Sequence, residues 1–400
     1  MRRDFEQIEH LIRLIKKMEI LFKEEPSNLT LRESIYEAVC AVNREEFGAE
    51  EIPLLPVEIM AENVEKINRQ LAAWIHYQEE EIRIRRSISV KIDYDFHVFM
   101  EHVKYSTRES LQKESRACLE DLRNYSNNIY QKLIESYNAF SDFWGSIDLD
   151  HGELELIENR VNQLKEHTED FLWLYQELAD YRSKKVLYGI LRCWITFEFE
   201  EKNQIKENNF ADYYDFDLVS CSEDEVFVDL GAYNGDSVCS YIDNFGNYKR
   251  IYCYEITPAS MEEMKEKLKE HQDIIYRNVG VGKKKGEMYL DDPQKADSAN
   301  RLKQTGKQKV EVVTLDEDIT EKITFIKMDI EGCELEAIEG ARRHIKEERP
   351  KLAVCTYHNN HHIWEIPRKL KEYRPDYKLY MRYNGELYAF QISEFVTFAL

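Results

Sequence analysis

The sequence predicts an α/β protein in two parts: a doubly wound parallel sheet over 221–400, preceded by a mainly α-helical region over 1–170 and a helical connector over 171–220. Three observations carry this reading. From about residue 225, the short apolar runs EVFVDL, RIYCYE, IIYRNVGV, KVEVVTL, TFIKMDI, KLAVCTY, YKLYMRY and LYAFQI alternate with helical stretches. That alternation marks a parallel sheet covered on both faces. Before residue 220, apolar residues recur instead at helical spacing, with few glycines. Finally, 400 residues exceed what one hydrophobic core ordinarily serves.

The elements follow in order. Phe5, Ile8, Leu11, Ile12, Ile15, Met18 and Phe22 define a first amphipathic helix. A break at 27–30 separates it from a second helix over about 31–47, and IPLLPVE, with Pro53 and Pro56, reads as a linker. Val64, Ile67, Leu71 and Trp74 mark a third helix. Ile88, Val90, Ile92, Tyr94, Phe96 and Val98 alternate with polar residues and predict a strand. Residues 99–145 read as one or two polar helices, 153–180 as another, and 183–202 as a helix packing Val186, Leu187, Ile190, Leu191 and Trp194. The closely spaced runs at the end predict an antiparallel hairpin.

The net charge is −22, and it is unevenly spread: residues 1–220 hold 44 acids against 28 Lys and Arg, residues 221–400 hold 33 against 27. So acidic a surface repels phosphate backbones, which excludes nucleic acid as a partner. No apolar run is long enough to span a bilayer, and Glu6, Glu9, Lys16 and Lys17 interrupt what could otherwise pass for a signal sequence. A cytoplasmic protein without membrane insertion is expected. The cysteines, Cys40, Cys118, Cys193, Cys221, Cys239, Cys253, Cys333 and Cys355, form no CxxC pair, and several sit in apolar runs, as reduced buried thiols do.

The sharpest chemical feature is VFVDLGAYNGDS, residues 226–237. An apolar strand carries Asp229 near its end, the turn runs through Gly231, Ala232, Tyr233, Asn234 and Gly235, and a helix opens around Ser237. Glycines let the backbone turn tightly and approach a ligand. The GxxxG spacing departs from the GxGxxG of dinucleotide sites and suits a cofactor that presents a carboxylate and an amine at the turn. Glu255 ends the next strand 24 residues after Gly231, placed to accept hydrogen bonds from both hydroxyls of a ribose, with Ile256 beside it. The third strand ends in Asn278, Val279 and Gly280, where a small or amide side chain flanks an adenine; Asp297 and Ser298 lie in a loop able to close over it. The plain alternatives are a surface acid and an ordinary strand-loop junction.

Asp329 and Glu331 end TFIKMDI two residues apart. They could hold a cofactor amine, orient a nucleophile or bind a metal. No metal is expected, because a two-carboxylate site lacks its other ligands in the sequence. Glu334, Glu336 and Glu339 read as a solvated helix face. The fifth strand delivers Tyr357 and His358; histidine is the side chain best matched to proton abstraction near neutral pH. His361 and His362 are assigned a loop role, with a metal as the alternative for three imidazoles in five residues. Trp364, Ile366 and Pro367 read as packing.

In their order and spacing, VFVDLGAYNGDS, CYEITP, NVGVG, IKMDIEGCELEAIEGA and RPKLAVCTYH followed by WEIPRKL resemble the FkbM family of S-adenosylmethionine-dependent methyltransferases. The likeness covers about 220–390, and a weaker one runs through SKKVLYGILRCWITFEFE and YYDFDL. It implies a Rossmann-like, seven-stranded class I methyltransferase domain with S-adenosyl-L-methionine as cofactor. It implies cofactor roles for Asp229, Gly231, Gly235, Glu255 and Asp329, and O-methylation of a sugar or natural-product hydroxyl in polysaccharide or secondary-metabolite biosynthesis. Many relatives carry a lysine after the strand-five histidine; Asn359 stands there. On this reading His358 is the base, with Asp329 and Glu331 as alternatives, and the acceptor is a small molecule or glycan. The N-terminal helices would form a homodimer, control substrate access or dock a partner. N-methylation of an amine or peptide, and a non-catalytic scaffold with a vestigial cofactor fold, are the competing readings.

Overall fold

The computed structural model describes residues 83, 90–198, 203–290, 302–385 and 393–400. The chain divides into two compact units, Met1–Ser89 and Val90–Leu400, and the second holds every described residue except Arg83. The expected helices through Trp74, Cys40, the pair Asp297 and Ser298, and the run LYAFQI lie outside the described residues.

The second unit opens with helices α1 (Lys91–Tyr105), α2 (Arg108–Tyr125), α3 (Asn127–Ala139), α4 (Ser141–Trp144), α5 (Glu155–Glu166), α6 (Thr168–Glu177) and α7 (Tyr181–Thr196). The strand expected over 88–98 is the start of α1. Its buried residues Ile92, Phe96, Met100 and Val103 are spaced by four, four and three, which is a helical stripe. Tyr94 and Val98 are only half-buried and Val90 is exposed, so the apparent alternation does not mark a face. Caps divide the polar stretch after α1. The Thr107 hydroxyl accepts from Ser110 N at the start of α2, and Ser126 both ends α2 and caps α3.

Seven strands then build the main sheet: β1 (Val226–Leu230), β2 (Arg250–Tyr254), β3 (Ile274–Arg277), β7 (Phe325–Met328), β8 (Lys351–Cys355), β9 (Leu379–Tyr383) and β10 (Phe395–Ala399), in the order β3-β2-β1-β7-β8-β10-β9. A smaller sheet pairs β4 (Gly280–Val281), β6 (Gln308–Val313) and β5 (Gly286–Leu290). β1 runs parallel to both β2 and β7, so the strand order reverses across β1, and the crevice beyond the carboxyl ends of β1 and β7 is the topological binding position. β10 is antiparallel to β8 and β9. The expected hairpin is therefore present, but the strand paired with YKLYMRY is the run FVTFA.

Helices α8 (Asp236–Phe245), α9 (Pro258–Lys267), α11 (Glu334–Gly340) and α12 (His362–Tyr373) alternate with the strands, and a short helix α10 (Leu315–Asp318) follows β6. Side chains alternate across the pleat. Phe227, Ile251, Phe325 and Ala353 pack on one face with Val238, Tyr241, Met261 and Met264. Val228, Leu230, Ile326, Met328 and Leu352 face the other way, into a core shared with α1–α7. The helices of 90–198 thus share a core with the sheet, and the boundaries expected near 170 and 220 fall within this one compact unit. The described cysteines are all free thiols. Among the described residues no helix is long and apolar enough to cross a membrane.

Two contacts fix the geometry near the crevice. The Trp144 indole donates to Tyr357 O at 2.7 Å, tying α4 to the end of β8. Arg382, buried on β9, donates to Asp215 and to Asp180, the residue that caps α7.

Candidate active site

A cavity of about 660 Å³ opens at the carboxyl ends of the central strands. Its first half is made by the turn after β1 and the end of β2. Gly231 adopts φ +79°, and a Cβ there would lie 1.7 Å from Asp329 O. Gly235, at φ +82°, would carry a Cβ 2.9 Å from Met264 Cγ. These glycines answer to the crossing of two strand ends and to helix packing. Gly231 also lines the cavity, and Gly235 does not.

Of the residues expected at a cofactor, Gly231, Tyr233, Ser237, Glu255, Ile256, Val279, Gly280 and Asp329 line the cavity; Asp229, Ala232, Asn234 and Gly235 do not. Asp229 is fully buried behind the turn. One oxygen accepts from Ser237 Oγ at 2.5 Å and the other lies 3.1 Å from Lys327 Nζ. Lys327 also donates to Gly231 O at 2.8 Å. Burial opposes its charge, but the Asp229 and Asp329 carboxylates outweigh burial and raise its pKa. The turn is therefore anchored from below by a buried ammonium. Asn234 points elsewhere and accepts from Lys267 Nζ. Glu255 is 7% exposed; its two oxygens accept from Thr257 N at 2.6 Å and Tyr233 N at 3.0 Å. Burial raises this carboxyl, and the two N–H donors work against burial.

The second half is the wall of Asp329, Glu331, Tyr357, His358 and Glu394, capped by Phe140, Phe143 and Trp144 from the helical layer. The sequence-predicted Asp329, Glu331 and His358 come together here: His358 Nε2 lies 3.5 Å from Asp329 Oδ1 and 3.4 Å from Glu331 Oε2. On its other side Nδ1 lies 2.9 Å from Glu334 Oε1. Glu334 is fully buried, which corrects its assignment to a solvated face: as the first residue of α11 it turns inward between His358 and His362. His362 is likewise buried and faces Glu334 instead of lying in an open loop. Tyr213 Oη donates to Asp329 Oδ2 at 2.8 Å.

The charges shape one another. Burial works against protonation of His358, but Glu334, then Glu331 and Asp329, outweigh it and raise the ring to about 10. The three carboxyl groups thus favour the protonated ring, the state in which it donates. Burial, opposed by His358 and assisted by Asp329, raises Glu331 to about 8. Burial and then Asp329 raise Glu394 to about 7. Burial also raises Asp212, on the rim of the same cavity.

Four contributors escaped the sequence reading. Lys327 had a signal, a lone cation inside an apolar strand that must find a buried partner. Tyr213 and the aromatics of SDFWGS stand outside any strand-end motif. Glu394 follows no motif and reaches the cavity only because β10 inserts between β8 and β9.

A family model described as the methyltransferase FkbM domain matches residues 229–387. This part of the chain is an FkbM methyltransferase domain. Its seven-stranded sheet has the strand order and flanking helices of that fold. A solved methyltransferase FkbM from Methylobacillus flagellatus KT is 25% identical, with 60% of this chain and 62% of that one aligned at a TM-score of 0.52. The chain thus spans under two thirds of that protein's length. SMU.1697c, a putative methyltransferase from Streptococcus mutans in complex with SAH, is 13% identical over 44% of this chain and 89% of its own, at a TM-score of 0.28, too distant to bear on the site. No curated protein matches the chain.

Proposed function

We propose that the chain is an S-adenosyl-L-methionine-dependent methyltransferase acting on a hydroxyl of a small-molecule or glycan acceptor in the cytoplasm, in polysaccharide or secondary-metabolite biosynthesis. The carrying observation is the division of one cavity into a half built for a nucleoside and a half built for proton chemistry. The residues fit the cofactor: each Glu255 oxygen is held by a backbone N–H and keeps a second lone pair for a ribose hydroxyl. Ile256, Val279 and Gly280 offer a flat, weakly polar wall beside it. When bound, S-adenosylmethionine supplies a methyl group on a positively charged sulfur.

The chain's own residues do the rest. Asp329, Glu331 and His358 hold the acceptor oxygen in line, and Phe140, Phe143 and Trp144 exclude water from it. Glu394, poised near 7, takes the hydroxyl proton. A second reading, methylation of an amine, draws support from the number of carboxylates in the cavity, Asp212, Asp329, Glu331 and Glu394, which would welcome a cation.

Titration calorimetry tests the cofactor half. S-adenosylmethionine is expected to bind and NAD not to bind, and Glu255→Ala is expected to weaken the former about 10- to 100-fold, the worth of a charge-assisted hydrogen bond or two. Absence of S-adenosylmethionine binding would overturn the reading and favour a scaffold.

A further inference from the structure

The acceptor wall contains an arrangement that methyl transfer alone does not require. Asp329 Oδ1, Glu331 Oε2 and His358 Nε2 all lie within 4.8 Å of one another on the cavity wall. The separations from Nε2, 3.4 and 3.5 Å, approach the edge of about 3 Å that an octahedron with bonds of about 2.1 Å has. His358 is 1% exposed; neither ring nitrogen makes a well-directed hydrogen bond, and Nε2 is the one turned to the cavity. Nε2 faces two carboxylate oxygens at ion-pair distance, and a cation bound there would take the place of the proton the ring otherwise carries.

The surroundings point the same way. Metal-binding histidines usually present their second nitrogen to a carboxylate that fixes ring and tautomer; here Nδ1 lies 2.9 Å from the fully buried Glu334. Ligating carboxylates are in turn held by hydrogen bonds; Tyr213 Oη holds Asp329 Oδ2 and leaves Oδ1 for the cavity. Three carboxyl groups thus face a single imidazole in a buried pocket, and the protons held by Glu331 and His358 are what a divalent cation would replace.

We propose that Asp329, Glu331 and His358 bind a divalent cation of the Mg²⁺ or Mn²⁺ type on one face, leaving its remaining positions open to water and to acceptor oxygens. The two carboxylate oxygens suit a hard cation, and the single imidazole moves the preference from Mg²⁺ towards Mn²⁺. The purpose of the cation, holding a hydroxyl-bearing acceptor, rests on the proposed O-methyl transfer; its binding does not.

The test uses the full chain and Mn²⁺ alone. Free Mn²⁺ is followed by its electron paramagnetic resonance signal, with Mg²⁺ as competitor, and S-adenosylmethionine affinity is measured separately by calorimetry. One Mn²⁺ per chain is expected, weakened at least tenfold by His358→Ala and by Glu331→Gln, and about tenfold by Glu334→Gln. Cofactor affinity should be kept in all three. If His358→Ala fails to fold, Glu331→Gln, at a partly exposed position, decides. Absence of stoichiometric binding, or binding untouched by these changes, overturns the site. Mn²⁺ binding at the triad without S-adenosylmethionine binding would leave the site standing and sink the methyltransferase reading; the converse would do the reverse.

Discussion

The two halves of the cavity are built on different principles. The cofactor half is backbone held by backbone: Gly231 and Ala232 both donate to Tyr254 O, and Glu255 is clasped by two N–H groups. Its buried charge pair joins Asp229, behind the turn and out of the cavity, to Lys327, which reaches the cavity lining. The acceptor half is side chain held by side chain, and its charges face the cavity. Backbone contacts and positive-φ glycines fix the first half, while the second keeps carboxyl groups of raised pKa around His358. Substitutions in the first should therefore act mainly through stability and affinity, and in the second mainly through rate and its pH dependence.

The largest effect is expected at Lys327. Lys327→Met strands Asp229 in a fully buried position and frees Gly231 O, which should cost about 3–5 kcal/mol in urea unfolding. Adding Asp229→Asn should recover much of it, since removing both members of a buried pair is often near neutral. A Lys327→Met protein as stable as the parent would break the comparison.

Next comes Glu394. Its folded pKa is raised to about 7, so the carboxylate, the form able to accept a proton, accumulates as pH rises. The turnover number should climb through about pH 7 and level above it. Glu394→Gln should remove that rise and lower turnover about 100-fold or more at unchanged cofactor affinity. A pH profile unchanged by the substitution would remove Glu394 as the proton acceptor.

The smallest effect is expected at the join to the helical layer. Trp144→Phe loses the hydrogen bond to Tyr357 O, worth about 1 kcal/mol, and should raise the acceptor KM a few-fold with little change in cofactor affinity. A change confined to cofactor binding would assign α4 to the wrong half.

The same contrast decides what could be read from the sequence. The cofactor half was legible in outline because turn, strand end and acid are near neighbours in sequence: VFVDLGAYNGDS forms the expected strand, turn and helix and Glu255 follows the next strand, although Asp229, Ala232, Asn234 and Gly235 stay out of the cavity lining. Even there a further demand on Gly231 was missed, the crowding by Asp329 O, a contact across strands. The acceptor half was half legible. Strand ends located Asp329, Glu331 and His358, but not the protonation that Glu334 imposes on the ring. Charge density made Glu334 resemble Glu336 and Glu339, yet a first-turn residue can face inward where a helix meets a strand end. Alternation over 88–98 misled because period two and a sparse helical stripe coincide over so short a window, and the buried spacing of four, four and three becomes visible only when Met100 and Val103 are included.

Asp329 belongs to both halves: its carbonyl oxygen abuts Gly231 and its carboxylate forms the acceptor wall. The first contact is made by an atom every amino acid possesses, the second by one that mutation can exchange. A substitution at this position therefore keeps the crowding that demands glycine at 231, while it changes the acceptor wall and one of the two carboxylates that hold the charge of Lys327.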